Sequence, residues 1–246
     1  MTEHEWTSSV DPSAMERFLR HRTSARKARL YACACCRHVW ELVLDSRRRL
    51  PQEQLRQAWT EAELMDEATS RHAVEVAEAY ADGRATEEQL RQAWHDADWA
   101  AMPYGYDVLN MALDASNPSL ELNGDIAATA ANDAPDKSLD PYCEFLRCIY
   151  GNPFHRLPSL PATVLVWNDR AVVKLAQAIY DKGRFEDLPI LADRLLDAGC
   201  DDEEVLAHCR GPGPHVRGCW VVDLILGKSD EALRMRYQEE GLGSGQ

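Results

Sequence analysis

Cysteine and histidine side chains, which can bind a metal ion or act in covalent catalysis, are concentrated in residues 199–228. This stretch holds three cysteines, two histidines and a Gly-Pro-Gly-Pro corner at residues 211–214. Thiolate and imidazole are good zinc ligands, and four of them can form a closed tetrahedral site. Such a set falls within twelve residues of this stretch, so we interpret it as a candidate zinc site: His208, Cys209, His215 and Cys219.

An alternative interpretation of these residues needs no metal. Free cysteine is among the most commonly buried residue types and packs as a small hydrophobe. Neighbouring residues such as His208 and Cys209 point about 100° apart on a helix, which makes joint ligation awkward. The spacing also lacks the CxxC…CxxC pattern of paired zinc knuckles. The sequence alone therefore favours packing in the core, with zinc as the only cofactor worth testing and Cys200 as a fifth candidate ligand.

Three further patterns in the chain could support chemistry. Cys209, His215 and Asp223 have the residue types of a cysteine-nucleophile triad, but their spacing is not diagnostic. Ser24-Ala25-Arg26-Lys27 matches an SxxK string, although the companion motifs of that enzyme class are absent and Ser24 better suits a helix N-cap. We therefore predict no catalytic residues and favour a non-catalytic interaction or regulatory protein, with a zinc-stabilised protein or a cysteine-dependent enzyme using residues 200–223 as alternatives.

An anion pocket is the third pattern. Arg210 and Arg217 flank the Gly-Pro corner, and turn amides can bind phosphate or carboxylate. Prolines remove some of the N–H donors that such a loop needs. Pairing of the two arginines with the acidic residues 201–204 is the alternative.

Composition limits the function classes. The 246 residues carry a net charge of −14, although residues 17–49 alone carry +8. The residues outside 17–49 are strongly acidic and would be repelled by the phosphate backbone of a nucleic acid. Nucleic-acid binding is therefore disfavoured, and if the protein has a partner we expect it to be another protein. The chain shows no secretory signal and no apolar run of about 18 residues, which predicts a cytoplasmic protein with reduced thiols and no membrane contact.

Helical spacing of apolar residues recurs along the chain, whereas sustained period-two alternation is absent. We predict an all-α protein, an irregular multi-helix bundle with an N-terminal lobe (1–135), a C-terminal lobe bearing the Cys/His-rich segment (136–228) and a tail (229–246). Asp11-Pro12 and Ser24 begin the first two helices, and the basic residues of the second are expected off its buried stripe. Later helices are predicted at 52–81, from 87, and at 140–150, 168–181, 185–198, 202–209 and 220–226.

Two longer-range expectations follow. Residues 52–63 and 87–98 nearly repeat each other, which suggests paired helices that each present Leu and Trp to a common core. Two copies are too few for a solenoid. The cysteine-rich helix 25–44 is expected to pack near residues 199–228, so that most of the thiols come close together.

Several strings resemble a family of uncharacterised bacterial proteins: RKARLYACACCRHVW (26–40), IYGNPF (149–154), LAQAIYD (175–181), LPILADRLLDAGCDDEEVLAHCR (188–210) and GPHVRGCWVVDLILGK (213–228). They lie towards both ends of the chain, while residues 50–140 look like the variable part. The copy at 52–59 looks like an insertion. This resemblance implies no activity, fold or catalytic residue, because none is established for that family.

Overall fold

A computed structural model describes residues 1–48, 61–101, 115–117, 119–120, 122, 126–133 and 138–228 of the chain. Within these ranges the regular structure is helical and no strand occurs, which confirms the all-α prediction. No helix in the described ranges combines the length and apolarity needed to cross a membrane. The α-helices are α1 (Glu3–Ser8), α2 (Pro12–Leu19), α3 (Ala25–Arg48), α4 (Glu61–Ala81), α5 (Glu87–Ala101), α6 (Ile126–Asp133), α7 (Asp140–Tyr150), α8 (Ala162–Lys182), α9 (Leu188–Asp197), α10 (Glu203–Arg210) and α11 (Trp220–Leu226).

The chain divides into two compact units. The N-terminal unit comprises Ser9–Cys143, and the C-terminal unit comprises Met1–Ser8 together with Glu144–Gln246. The first eight residues thus pack with the C-terminal unit, although most of the chain separates them from it in sequence. The predicted tail and the first repeat copy at 52–59 lie outside the described residues.

Buried charged residues organise the N-terminal unit. The Glu16 carboxylate is fully buried, and it accepts hydrogen bonds from the Tyr31 hydroxyl and from the first two backbone N–H groups of α6. Lys27 and Arg29 are also buried, so the expectation that the basic residues of α3 stay off its buried stripe is wrong for these two. The Arg29 guanidinium donates to two backbone carbonyls, at Ala115 and Asn117, which compensates the cost of burying its charge.

Four helices build most of the core of the C-terminal unit. α8, α9, α10 and α11 contribute apolar side chains at helical spacing, and Cys148 from α7 joins them. The ambiguous apolar run at 220–226 is a helix, and all but Leu224 and Leu226 of its residues are buried. The Asp202 carboxylate accepts from the Val205 N–H at 3.0 Å and so caps α10.

A left-handed turn interrupts α8. Residues 162–166 form a first helical segment, and Asn168, Asp169 and Arg170 then adopt φ values of 44°, 55° and 60°. The helix predicted at 168–181 therefore begins after Arg170 in the structure. Val172, Ala176 and Ile179 of this helix are buried, and Gly183 ends the helix with φ of 65°.

The N-terminal helix α1 was not predicted, because its sequence is polar and has a single large apolar residue. Its start carries a capping box: the Thr2 hydroxyl accepts from the Glu5 N–H, and the Glu5 carboxylate accepts from the Thr2 N–H. The T-x-x-E spacing of this box is a sequence signal that could have identified the helix. Trp6 is its anchor, with only 1% of its surface exposed.

Candidate metal centre

Four potential metal ligands converge in the C-terminal unit. They are Cys148, His208, His215 and Cys219, and their ligand atoms all lie within 4.8 Å of one another. The two cysteines are buried and the two histidines are half-buried. Among the His, Cys, Asp and Glu side chains of the described residues, these four lie close enough together that they could hold a metal ion.

Three separate segments supply the four side chains. Cys148 lies in the last turn of α7, and His208 lies in the last turn of α10. His215 belongs to the loop that follows α10, and Cys219 is the residue before α11. A contact between residue 148 and residues more than sixty positions later depends on tertiary packing, so the local spacing of Cys and His in residues 199–228 could not reveal it.

The distances between the ligand atoms suit a tetrahedral ion. His208 Nε2 lies 3.2 Å from Cys219 Sγ, and His215 Nδ1 lies 3.7 Å from Cys148 Sγ. Zinc bonds of about 2.3 Å to sulfur and about 2.0 Å to nitrogen put neighbouring ligand atoms of a tetrahedron about 3.3–3.8 Å apart. These two separations are close to that range, and ligand atoms that are as much as 4.8 Å apart would have to approach by about 1 Å to hold zinc.

Hydrogen bonds around the four side chains orient them. His215 Nε2 lies 3.3 Å from the Gly211 carbonyl oxygen, which can only accept, so Nε2 carries the proton and Nδ1 is left facing the cysteines. Metal-binding histidines typically donate their other ring N–H to a carbonyl or carboxylate in this way. The Val216 N–H donates to Cys148 Sγ at 3.4 Å, which stabilises a thiolate there.

The electrostatics of the group favour one thiolate. Burial by itself opposes ionisation of Cys219, but hydrogen bonding from Cys148 and the neighbouring His208 and His215 outweigh it and hold the Cys219 pKa well below its usual value. Burial, together with the neighbouring Cys219 thiolate, raises the pKa of Cys148. Burial would lower the pKa of His215, yet its hydrogen bond with Cys219 and the nearby negative charge raise it. Two imidazoles and a thiol thus surround one negative sulfur.

Aromatic and glycine packing complete the site. The His208 ring lies 4.9 Å from the His215 ring and 5.2 Å from the Trp220 ring, measured between centroids. Gly213 has φ of 74°, and a Cβ there would lie 2.9 Å from the His215 backbone nitrogen. The corner at residues 211–214 therefore needs glycine at this position to place His215.

The structure brings together three of the four ligands proposed from the sequence and places the fourth, Cys209, elsewhere. Cys209 is fully buried in the apolar core, where burial raises its pKa far above the ordinary value. Adjacent residues on α10 face different directions, so His208 can reach the site while Cys209 packs inward. Cys148 takes the position that we assigned to Cys209. Cys200 also belongs to the apolar core.

The other sequence candidates find separate partners. The Arg210 guanidinium lies 3.3 Å from an Asp193 carboxylate oxygen, at the surface. Arg217 lies over the Tyr180 ring at 4.6 Å. The two arginines of the predicted anion pocket thus have different partners, and the Arg210 partner is not among the acidic residues 201–204.

Neither catalytic string forms a reactive arrangement in the described residues. For the triad Cys209–His215–Asp223, His215 contacts Cys148 and Gly211, and Cys209 packs in the core. In the SxxK string, the Ser24 hydroxyl accepts from the Lys27 N–H and caps α3, as the alternative predicted. Cys33, Cys35 and Cys36 are buried in the N-terminal unit, with burial raising the pKa of Cys33 and Cys35.

Chemically, the arrangement can hold a divalent ion with two sulfur and two nitrogen ligands. This S₂N₂ set is typical of zinc, since soft thiolates and imidazoles select zinc over magnesium or calcium. All four positions are filled by the protein, which is a feature of structural rather than catalytic zinc sites. Comparison with known proteins adds no family to this description: no protein-family model, no curated protein and no solved structure matches the chain.

Proposed function

We propose that the chain is a zinc-stabilised, non-catalytic helical protein that acts in the cytoplasm through contacts with a protein partner. The observation that carries this proposal is the convergence of Cys148, His208, His215 and Cys219 within 4.8 Å. Their chemistry matches zinc, and their hydrogen bonds hold the ligand atoms in place without a metal. Zinc would join α7 to α10 and α11, which are remote in sequence.

A non-catalytic role is supported by the coordination that the site offers. Catalytic zinc sites use three protein ligands and keep a fourth position for water or substrate. Here the protein supplies four ligands, and both thiols are buried with exposed fractions of 2% or less. A bound ion would have no position left at which to activate water.

Metal analysis of the full chain tests the zinc proposal. Protein purified with a C-terminal tag that lacks histidine should contain about one equivalent of zinc. Cys148→Ala should reduce the zinc content below about a tenth of an equivalent, because three ligands bind zinc much more weakly than four. Zinc at that low level in the wild-type chain would contradict the proposal.

Cys209→Ala is the matched control. Like Cys148→Ala, this substitution removes one thiol from a buried cysteine of the C-terminal unit, but Cys209 is not part of the ligand group. This variant should lose stability through the cavity that it creates and should still bind one zinc. Loss of zinc in Cys209→Ala, with retention in Cys148→Ala, would restore the ligand set proposed from the sequence.

A cysteine-dependent enzyme is the second candidate function, and one observation favours it. The Cys219 pKa is lowered by the adjacent thiol and imidazoles, as in an activated nucleophile. A thiol-reactive probe decides between the two functions. If the zinc-free chain reacts at Cys219 no faster than an ordinary exposed thiol, while folded, the enzyme candidate is excluded.

A further inference from the structure

The two cysteines of the candidate metal centre contact each other as well as the histidines. The Cys148 thiol donates a hydrogen bond to Cys219 Sγ, and the two sulfur atoms lie within 4.8 Å of each other. Cys148 belongs to the last turn of α7, whereas Cys219 precedes α11, so the contact joins segments that are far apart in the chain. Two thiols in contact can form a disulfide once an oxidant removes two electrons from them.

The surroundings of this pair favour its reaction with an oxidant. All eight cysteines of the chain are free and buried. Cys219 Sγ lies 3.2 Å from His208 Nε2, and Cys148 Sγ lies 3.7 Å from His215 Nδ1. Both imidazoles are half-buried, so the sulfur atoms lie against side chains that reach the surface. An imidazole beside a thiol stabilises the thiolate, which is the form that peroxide oxidises. Cys209, by contrast, packs in the apolar core.

We propose that Cys148 and Cys219 are a peroxide-sensitive pair, and that their disulfide releases the zinc ion from the site. The release of zinc rests on the proposed function, in which these residues bind the ion. A disulfide holds its sulfur atoms about 2.0 Å apart and leaves neither of them as a thiolate. Zinc needs both thiolates as ligands. The same two sulfur atoms therefore cannot form a disulfide and hold zinc at once.

The reaction consumes one hydrogen peroxide molecule for each pair. Cys219 is the attacking sulfur, because it accepts the hydrogen bond from Cys148 and lies beside the imidazoles. Its thiolate forms an S–O bond to peroxide while the O–O bond breaks, and the departing hydroxide takes up a proton to become water. The Cys148 sulfur then attacks the Cys219 sulfenic acid, so that the S–S bond forms and the S–O bond breaks. The second oxygen leaves as water. Two thiols lose two electrons, and peroxide is reduced to two water molecules.

The disulfide would replace one link between α7 and α11 with another. Zinc joins these segments through four side chains, whereas the disulfide joins them through Cys148 and Cys219 alone and frees His208 and His215. In a reducing compartment, disulfides are usually transient and catalytic or redox-sensing. The pair would thus report oxidation through the loss of its metal while the two segments stay connected.

Peroxide treatment of the zinc-loaded full chain tests the pair. In the presence of a chromogenic chelator, about 1 mM hydrogen peroxide should release about one equivalent of zinc and remove two of the eight thiols. Release without peroxide is the baseline and should be at least about tenfold slower. Peptide mapping under non-reducing conditions should find the disulfide between Cys148 and Cys219. A phosphine reductant, once removed, should leave a chain that binds zinc again.

Cys209→Ala is the matched control for the oxidation. It lacks one buried thiol of the same unit that lies outside the ligand group, so it should release the same amount of zinc and form the same disulfide. Cys148→Ala identifies the attacking sulfur. This zinc-free variant lacks the second thiol, so the Cys219 sulfenic acid should persist and react with dimedone. Cys219→Ala should give at least about tenfold less adduct at Cys148, because burial disfavours that thiolate. Equal labelling would overturn the assignment of Cys219 as the attacking sulfur.

Two results with the wild-type chain would overturn the proposal. One is a folded, zinc-loaded chain that keeps both thiols under this treatment or forms a different disulfide. The other is a chain that forms the disulfide and still holds one equivalent of zinc. Failure of the proposed zinc site is a separate result, because zinc content is measured before peroxide is added. A chain without zinc is oxidised directly, and mapping still decides whether Cys148 and Cys219 form the pair.

Discussion

The difference between Cys148 and Cys209 shows how a single side chain acquires its role. Both are buried thiols in the C-terminal unit. Burial raises the pKa of both thiols, but Cys148 lies beside His215 and receives the Val216 N–H, whereas Cys209 is surrounded by apolar side chains. Direction and neighbours, rather than residue type, decide which cysteine can bind a metal.

Zinc affinity should increase with pH. Zinc binds thiolates, so each proton that it displaces adds about a tenfold gain in affinity per pH unit. The lowered pKa of Cys219 means that this thiol ionises more readily than an ordinary cysteine, whereas the raised pKa of Cys148 means that it holds its proton at neutral pH. At least about one proton should therefore leave on zinc binding at pH 7.

Chelator competition between pH 6 and 8, corrected for the chelator's own protonation, measures this dependence. The raised pKa of His215 adds a second proton at the acidic end of the range, so the slope should be steeper there. A zinc affinity that does not change over these two pH units would contradict the ionisation states that we assign to the two cysteines.

At the scale of elements, the loop between α10 and α11 brings together three potential ligands that are close in sequence. His208 ends one helix and Cys219 precedes the next, and the loop between them must reverse the chain while presenting His215. Gly213 allows this through its left-handed backbone, with φ of 74°. The rigid Gly-Pro corner noted in the sequence is thus part of the candidate metal centre.

Gly213→Ala should lower zinc affinity as well as stability. The added Cβ would lie 2.9 Å from the His215 nitrogen and 3.1 Å from its ring, so His215 must move. Gly183→Ala is the matched control, because Gly183 has a similar φ of 65° in the same unit but open space around it. Both variants should lose about 1 kcal/mol from left-handed strain.

Zinc titration and thermal unfolding of the two variants separate these effects. Only Gly213→Ala should show weaker zinc binding, since only there does the new methyl group meet a ligand. Equal zinc affinities in the two variants would mean that the corner does not position His215.

At the scale of the whole molecule, the C-terminal unit collects segments from both ends of the chain. Residues 1–8 and 144–228 pack together, and the metal ligands join α7 to the last two helices of the unit. A metal ion that links segments remote in sequence contributes its binding free energy to folding, because no such site exists in the unfolded chain. The predicted boundary between the lobes, at 135/136, lies eight residues before the division at 143/144. The predicted N-terminal lobe also included the first eight residues, which belong to the C-terminal unit.

Removal of zinc should loosen the C-terminal unit selectively. Amide hydrogen exchange in α10 and α11 should become at least about tenfold faster after chelation, because the ion no longer restrains their ends. Exchange in α3, which belongs to the N-terminal unit, provides the internal control and should not change. Equal protection of α10 and α11 with and without chelator would show that zinc does not stabilise the unit.

Local signals in the sequence determined the helical class, most helix starts and three of the four side chains that converge in the candidate metal centre. Asp11 and Ser24 cap the helices that they were predicted to begin, because capping is a contact between residues three positions apart. The polar helix α1 was missed, since a single buried tryptophan gives no periodic pattern.

Tertiary structure alone decided the rest. The choice of Cys148, the burial of Lys27 and Arg29, and the docking of Trp6 at Gly151 all join residues far apart in the chain. Composition and periodicity describe one element at a time, whereas a metal site or a buried charge depends on which elements meet and which way their side chains point.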